Sequence, residues 1–361
     1  MFNTISNCIQ KCENNVGQIE LCLNTIFENL IDEKNQLDDN AKIALIKVLS
    51  DFLNNAPNTS FYKIIKFSND FKKIISDFKH KNKNIRKSVE ILIGEFILIL
   101  LNRDVLARKT QSETIIYNTC IKDYIEKENN DEFVLHGLIL VLKAFTIKNP
   151  KNEKQMNEFF VEKYKIFLDF LYSNLSSQNP LIKISVIETI VKYCEFLPNI
   201  LEEKDWFQYF EKILKDLISS YSDKDNDDKI KIEILKVIGQ LSILEHFEQI
   251  FAENINEILG IIKKDISESK TFNEKILEIL SDFMTKYDEE FVELLPFDIY
   301  YEKIFTLGLK ESHIPFFKKL LYIYPRNSRK NNQIIICLLN GISYIITQKQ
   351  FYFKYIKKKF K

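Results

Sequence analysis

The side chains best suited to chemistry are few and stand apart. His80, His136, His246 and His313 show no HExxH or Cys/His ligand spacing, and a structural zinc site needs four donors converging on one point. Packing or surface roles follow for all four. Cys8 and Cys12 lie one helical turn apart, but no partner pair completes a metal set, so packing is their expected role too. Asp223, Asp225, Asp227 and Asp228 alternate with other residues as the acids of a calcium loop do. Such a loop needs a glycine at its sixth position and a glutamate at its twelfth. Asp228 and Ile234 stand there instead, and a solvated turn is the better reading. Phosphate-cradling GxGxxG and GxxxxGKS/T loops are missing. So are the HRD and DFG marks of protein kinases, Asp282-Phe283-Met284 being a helix fragment. The expectation is a non-enzyme with no catalytic, cofactor-binding or metal-ligating residue.

Charge narrows the partners further. Basic and acidic residues balance at 51 each, so no global field favours nucleic acid or a membrane surface. One local exception is the ending, where Lys354, Lys357, Lys358, Lys359 and Lys361 interleave with Phe351, Tyr352, Phe353 and Tyr355. That pattern could bind an acidic surface or a nucleic acid, although a short cluster at a chain end is more often simply solvated. The opening MFNTISNCIQKCENN has neither the basic start nor the apolar core of a signal peptide. No apolar run reaches the ~20 residues of a membrane span; Ile91–Leu101 is broken by Glu95, and Ile334–Ile346 by Asn340 and Ser343. The cysteines at 8, 12, 22, 120, 194 and 337 follow no disulfide spacing. They read as reduced thiols of a cytosolic or nuclear protein.

What remains is helical patterning. After the polar segment Lys79–Asn84, the residues Ile85, Val89, Leu92, Phe96 and Ile99 recur at three- and four-residue steps, which places them on one helical face. Ile91, Ile93 and Leu98 widen that face, so the helix needs neighbours on both flanks. The phrase around Ile85 returns along the chain. Its counterparts are Ile43, Phe133, Ile182, Ile230 and Ile276, at steps of 42, 48, 49, 48 and 46 residues (positions 43, 85, 133, 182, 230, 276). Periods of about 40–47 residues belong to HEAT and armadillo repeats, whose units cannot bury their own apolar faces and must stack. The fold class expected is all-α, an α-solenoid of HEAT/armadillo-type antiparallel helix pairs.

Seven glycines and seven prolines are scattered singly, so no linker divides the chain. Residues 1–36 are expected to be amino-terminal capping helices, 37–347 the repeat solenoid and 348–361 a basic aromatic tail. The helix pairs are predicted at Ala41–Leu53, Phe61–Phe78 with Asn84–Asn102, Ile115–Glu126 with Glu132–Lys148, and Phe159–Leu175 with Leu181–Leu197. Trp206–Tyr221 with Lys229–Leu244 and Phe247–Lys264 with Asn273–Tyr287 follow, then shorter helices at Tyr300–Leu309, Ile314–Tyr324 and Asn332–Thr347. Pro180 fits a first helical turn, where its missing N–H is no loss.

Six stretches in collinear order resemble the amino-terminal HEAT solenoid of the target of rapamycin (TOR) kinases, members of the phosphatidylinositol-3-kinase-related kinases. They are Asn40–Phe61 (NAKIALIKVLSDFLNNAPNTSF), Asn84–Asp104 with Arg86, Arg103 and Asp104 at matching places, and Asp131–Phe145 with His136-Gly137 matching. Leu181–Leu201 with Phe196 and Pro198, Leu235–Ile243, and Tyr300–Leu309 continue the series. Glycines such as Gly137 and Gly239 would let adjacent helices approach closely. The resemblance implies a scaffold arm that holds Raptor-like or Rictor-like subunits in a growth-signalling complex. TOR proteins carry a FAT region and a kinase domain after this arm, and the chain stops before either, so it is expected to be a fragment, a truncated paralogue or a solenoid working alone. The alternative from the residues is an importin-like or condensin-like HEAT adaptor for proteins or nucleic acid. Against the importin ladder stands the single tryptophan, Trp206.

Overall fold

The computed structural model describes residues 16–31, 37–55, 68–102, 116–125, 131–146, 157–199, 202–223, 226–242 and 244–268, with 332, 335, 336 and 339. Among them no strand occurs. The helices are α1 (Val16–Ile31), α2 (Asp39–Asn55), α3 (Ser68–Ile75), α4 (Lys83–Asn102), α5 (Lys122–Ile125), α6 (Glu132–Ala144), α7 (Asn157–Leu175), α8 (Pro180–Phe196), α9 (Glu203–Ser222), α10 (Asp228–Ser242) and α11 (Glu248–Glu268). The fold is all-α and built of HEAT/armadillo-type helix pairs. The chain forms two compact units, 1–206 and 207–361, whose boundary falls within α9.

Each of five helices starts on the same device. Asp38, Asn82, Asp131, Asn179 and Asp227 stand immediately before α2, α4, α6, α8 and α10. Their Oδ1 atoms accept from the backbone N–H of Ala41 (2.7 Å), Asn84 (2.8 Å), Phe133 (2.8 Å), Leu181 (2.9 Å) and Ile230 (2.9 Å). Their carbonyls accept from the N–H four residues on, at Lys42, Arg86, Leu135, Lys183 and Lys231. An Asx side chain thereby satisfies helix-start donors that nothing else would. The caps recur at steps of 44, 49, 48 and 48 residues (38, 82, 131, 179, 227). They are the true phase marker of the repeat.

Counting from the caps corrects two counterparts: three residues past Asp38 stands Ala41 rather than Ile43, and Phe133 is also out of place. The buried equivalent of Ile85, Ile182 and Ile230, each three residues past its cap, is Val134, 7% exposed, whereas Phe133 is 40% exposed. Phe133 serves another purpose: the Arg86 guanidinium lies over its ring, 5.4 Å from the centroid, a cation–π contact.

In the first unit α2, α4, α6 and α8 pack each on the next, and α7 packs on α8. The helix predicted over Phe61–Phe78 is described only from Ser68 and tightens after Ile75 into a 3₁₀ turn, Ser76–Lys79. That turn abuts α6. A Cβ built on Gly137 would meet the Phe78 carbonyl oxygen at 1.7 Å and its carbon at 2.7 Å, so only glycine permits the contact. Gly239 is likewise buried. The segment expected as a helix from Ile115 contains a π turn, Tyr117–Ile121, before α5. One wider turn does not alter a short apolar pattern enough to be read from sequence. Helix α6 ends at Ala144, four residues before the expected Lys148, where the Phe145 and Thr146 N–H groups donate back to the carbonyls of Leu142 and Lys143. Pro180 opens α8 behind its Asn179 cap, and Pro198 lies in a 3₁₀ turn that follows that helix.

Within the second unit, the Phe210 and Phe247 rings meet at 5.3 Å between centroids. Leu214, Ile234, Ile238 and Phe251 are buried with them, each worth about 1.5–3 kcal/mol of transfer free energy. The Asn226 amide, in the acidic turn before α10, donates to the Ser220 carbonyl at 2.5 Å. Several sequence expectations lie outside the described residues: Cys8 and Cys12, Arg103 and Asp104, Ile276, the helices over 273–287, 300–309 and 314–324, most of 332–347, His313, and the tail 348–361.

Candidate functional site

Two polar assemblies interrupt the apolar stack of the first unit. One is sealed. Arg86, 2% exposed on α4, donates from Nε to His136 Nδ1 on α6 at 2.8 Å. Its Nη1 donates to the carbonyls of His80 and of Lys81, the latter at 2.9 Å, and the Asn82 N–H donates to His80 Nδ1 at 3.0 Å. Arg86 therefore brings two of the four histidines into one node. Burial lowers the His136 pKa to about 4, with help from the Arg86 charge, and burial also lowers that of Arg86. Because Nδ1 accepts, the neutral ring carries its proton on Nε2, and Nε2 is buried with no partner. Arg86 and His136 themselves are closed off from solvent. The node joins helices.

The other assembly is open. A groove of about 460 Å³ crosses three successive helices: Glu90, Ile91, Gly94 and Glu95 of α4, Lys143 and Ala144 of α6 with Thr146 beyond, and Lys192 and Glu195 of α8. Its cations are engaged within the protein. Lys143 Nζ lies 3.0 Å from Glu188 Oε2 and 3.8 Å from Glu90 Oε1, tying α6 to α8 and to α4. Lys192 Nζ reaches both oxygens of Glu195, at 3.2 and 2.9 Å. Glu95 is treated differently: its Oε2 is buried without a donor. Desolvation, then the nearby Asp51 charge, raises its pKa. Glu90 is also raised by desolvation, against the opposing pull of Lys143. Beside these carboxylates Ile91 leaves 51% of its surface exposed.

Sequence reasoning assigned none of these groove residues to a site, and read Ile91 only as part of an apolar face. A signal did exist: Glu95 breaks the longest apolar run on α4, and Lys143 and Lys192 interrupt equally apolar helices. Without the cap register they could not be aligned on one surface. The arrangement suits binding rather than bond making. Among the described residues no His/Cys/Asp/Glu group could hold a metal ion, and no helix is long and apolar enough to cross a membrane. Cys120 and Cys194 are buried, free thiols, with pKa values pushed up by that burial.

No protein-family model and no curated protein matches the chain. Among solved structures, a designed armadillo repeat protein in complex with the peptide (KR)4 is 11% identical with a TM-score of 0.40, covering 72% of this chain and 98% of that one. An engineered protein is 9% identical, TM-score 0.38, covering 94% of each chain. Kap95p, from a study of its binding to RanGDP, is 14% identical, TM-score 0.46, covering 88% of this chain and 37% of the Kap95p chain. At these identities and scores, the assignment to HEAT/armadillo-type helix pairs rests on the helices themselves.

Proposed function

We propose that the chain is a non-catalytic scaffold whose stacked helices hold a segment of another protein. The observation that carries this reading is the open groove across α4, α6 and α8, where Ile91 is exposed among Glu90, Glu95, Lys143 and Lys192. An incoming chain would cover that isoleucine and remove its apolar surface from water. Stacked repeats offer area for the roughly 1,200–2,000 Å² that a specific interface buries in total.

The finer reading comes from the sequence resemblance across residues 40–347: an arm like that of the TOR kinases, holding Raptor-like or Rictor-like subunits in a cytoplasmic growth-signalling assembly. Support for it is the collinear order of six stretches, including the His136-Gly137 pair. Affinity purification of the tagged chain from its own cells, with Ile91→Glu alongside, tests both levels. Recovery of a TOR-type kinase or a Raptor-like or Rictor-like chain, lost with Ile91→Glu, is expected. Recovery of nuclear-transport or chromosome-associated chains instead would sink the TOR reading and keep the scaffold. Identical recoveries with the wild type and the variant would sink the groove.

A further inference from the structure

We infer that the Arg86–His136 node is an acid-released joint, in which a proton on His136 parts α4 from α6 and so loosens the groove that spans them. The inference rests on the scaffold reading, to which it adds a control of the binding surface.

The hydrogen-bond chemistry of the ring sets the mechanism. His136 Nδ1 accepts from Arg86 Nε at 2.8 Å, and both side chains are buried. A doubly protonated imidazole has two N–H donors and no acceptor. One proton therefore removes the bond and sets a second cation against the guanidinium, away from water. Among the described residues, the charges that act on the ring are Arg86, Lys87 and Lys83 of α4 and Lys143 of α6, all cations. Asp131, the α6 cap, acts on Arg86, and its side chain already accepts from the Phe133 and Val134 N–H groups. The 3₁₀ turn packed on α6 carries Asp77, paired with Lys42, and Lys79, which donates to the Tyr124 hydroxyl. The turn leading into α4 adds His80, a base rather than an anion, whose Nδ1 accepts from the Asn82 N–H. The π turn packed on α6 brings Tyr117 and Cys120, both uncharged in acid. Helix α8 brings Lys183 and Glu188, and Lys143 holds that glutamate. Separation from Arg86, into water, relieves a charged ring.

The node is also one of two rungs on the same seam. Arg86 and Glu90 stand one turn apart on α4, and His136 and Lys143 two turns apart on α6, so each pair shares a helical face. The second rung, Lys143 Nζ to Glu90 Oε1, is 3.8 Å long, against 3.0 Å from the same lysine to Glu188. Both residues of that rung line the groove. Gly137, next to His136, seats the Phe78 carbonyl of the 3₁₀ turn. A ring that leaves the seam disturbs the spacing of α4 and α6 at the groove and the docking of that turn together.

The size of the effect follows from linkage. Opening exposes a ring with the ordinary pKa of 6.5 in place of one held at about 4, so the open fraction should rise roughly twentyfold from pH 7 to pH 5. Hydrogen exchange of the full chain, followed by mass spectrometry and corrected for the intrinsic rate at each pH, reads that fraction. Amides of α4 and α6 should lose roughly twentyfold in protection, while those of α10 and α11 hold theirs. In His136→Gln the amide oxygen accepts from Arg86 and does not titrate, so α4 and α6 should keep their protection. Nitrogen-15 NMR of the wild-type ring accompanies it, because proton uptake at His136 Nδ1 must track the loss of protection in α4 and α6. Unchanged protection at pH 5, an equal loss in every helix, a folded His136→Gln protein that follows the wild type, or a charged ring with the seam still protected would each overturn the inference. Partners captured by the immobilised chain at pH 7 should be released at pH 5 from the wild type and not from His136→Gln; their retention on both would overturn the control of the groove. An acid-released seam with no partner captured at pH 7 would sink the scaffold reading and keep the joint. Partners captured on a chain whose seam ignores acid would do the reverse.

Discussion

Arg86 and His136 are joined by a 2.8 Å hydrogen bond between two buried side chains on neighbouring helices. Because Arg86 also holds the His80 and Lys81 carbonyls, one side chain ties α4, α6 and the turn between the 3₁₀ segment and α4. Arg86→Met leaves three acceptors short of a donor. Removing one side of a buried polar cluster costs about 3–5 kcal/mol, so the urea midpoint should fall by that loss divided by the slope, the slope being unchanged. Arg86→Lys should recover little of it, since an ammonium cannot reproduce the guanidinium fork. A loss below about 1 kcal/mol in Arg86→Met would show that the node is incidental.

Stability should fall in acid through His136. Its pKa drops from 6.5 to about 4 on folding, so below pH 6.5 the unfolded chain binds a proton that the folded chain refuses. The stabilisation is complete above pH 6.5, declines between 6.5 and 4, and is gone below. A shift of that size corresponds to about 3 kcal/mol. Glu90 and Glu95, with pKa values raised by burial, act in the opposite sense, because the folded chain takes up their protons first. The difference between wild type and His136→Gln isolates the histidine: the variant should lack the decline from pH 6.5 to 4. Parallel curves would refute the assignment.

Two glycines in helices make a contrast. Gly137→Ala would drive a Cβ into the Phe78 backbone, which cannot move as a side chain can, and should cost about 3 kcal/mol or more. Gly260, on α11, has nothing within 4 Å of its built Cβ. Gly260→Ala should stabilise by about 0.5–1 kcal/mol through helix propensity. Thermal melts of the two variants should move in opposite directions.

The caps give a graded series. Asp131→Ala and Asn179→Ala each remove an Oδ1 that accepts two backbone N–H groups, and each should cost about 0.5–2 kcal/mol. The sites lie on different helix starts, so the double variant should be near the sum. A large excess over the sum would mean that the caps act together.

Cys120 and Cys194 should resist alkylation in the folded protein. Both are buried, with thiol pKa values raised by desolvation, and only the thiolate reacts. Site-resolved mass spectrometry after iodoacetamide should show both modified in urea and neither in buffer over the same time.

Much of this fold is legible in the residues, for a physical reason. The apolar steps from Ile85 to Phe96 repeat because each helix needs neighbours, and turn residues mark where each helix starts. Reading the echo on isoleucines instead of on Asx caps put Phe133 one place out of register, since a large apolar residue beside a cap looks like core until its neighbour Arg86 is seen lying over it. The Gly137 contact was readable as a type, because a missing side chain invites close approach. The 3₁₀ turn that uses it was not, as tertiary packing on α6 and no local pattern distinguishes it. The groove escaped because a glutamate on a helix reads as a surface residue, and only three-dimensional alignment of Glu95, Lys143 and Lys192 shows which charges face one another.

The Asx caps bear on how such a chain can change length. A start signal that resides in one side chain and the few amides after it travels with its own segment of gene. Duplicating or deleting a stretch from one cap to the next would add or remove a whole module without rewriting the punctuation of those left behind. Insertions that respect this phase should be tolerated in descent, and those that split a cap from its first turn should be lost.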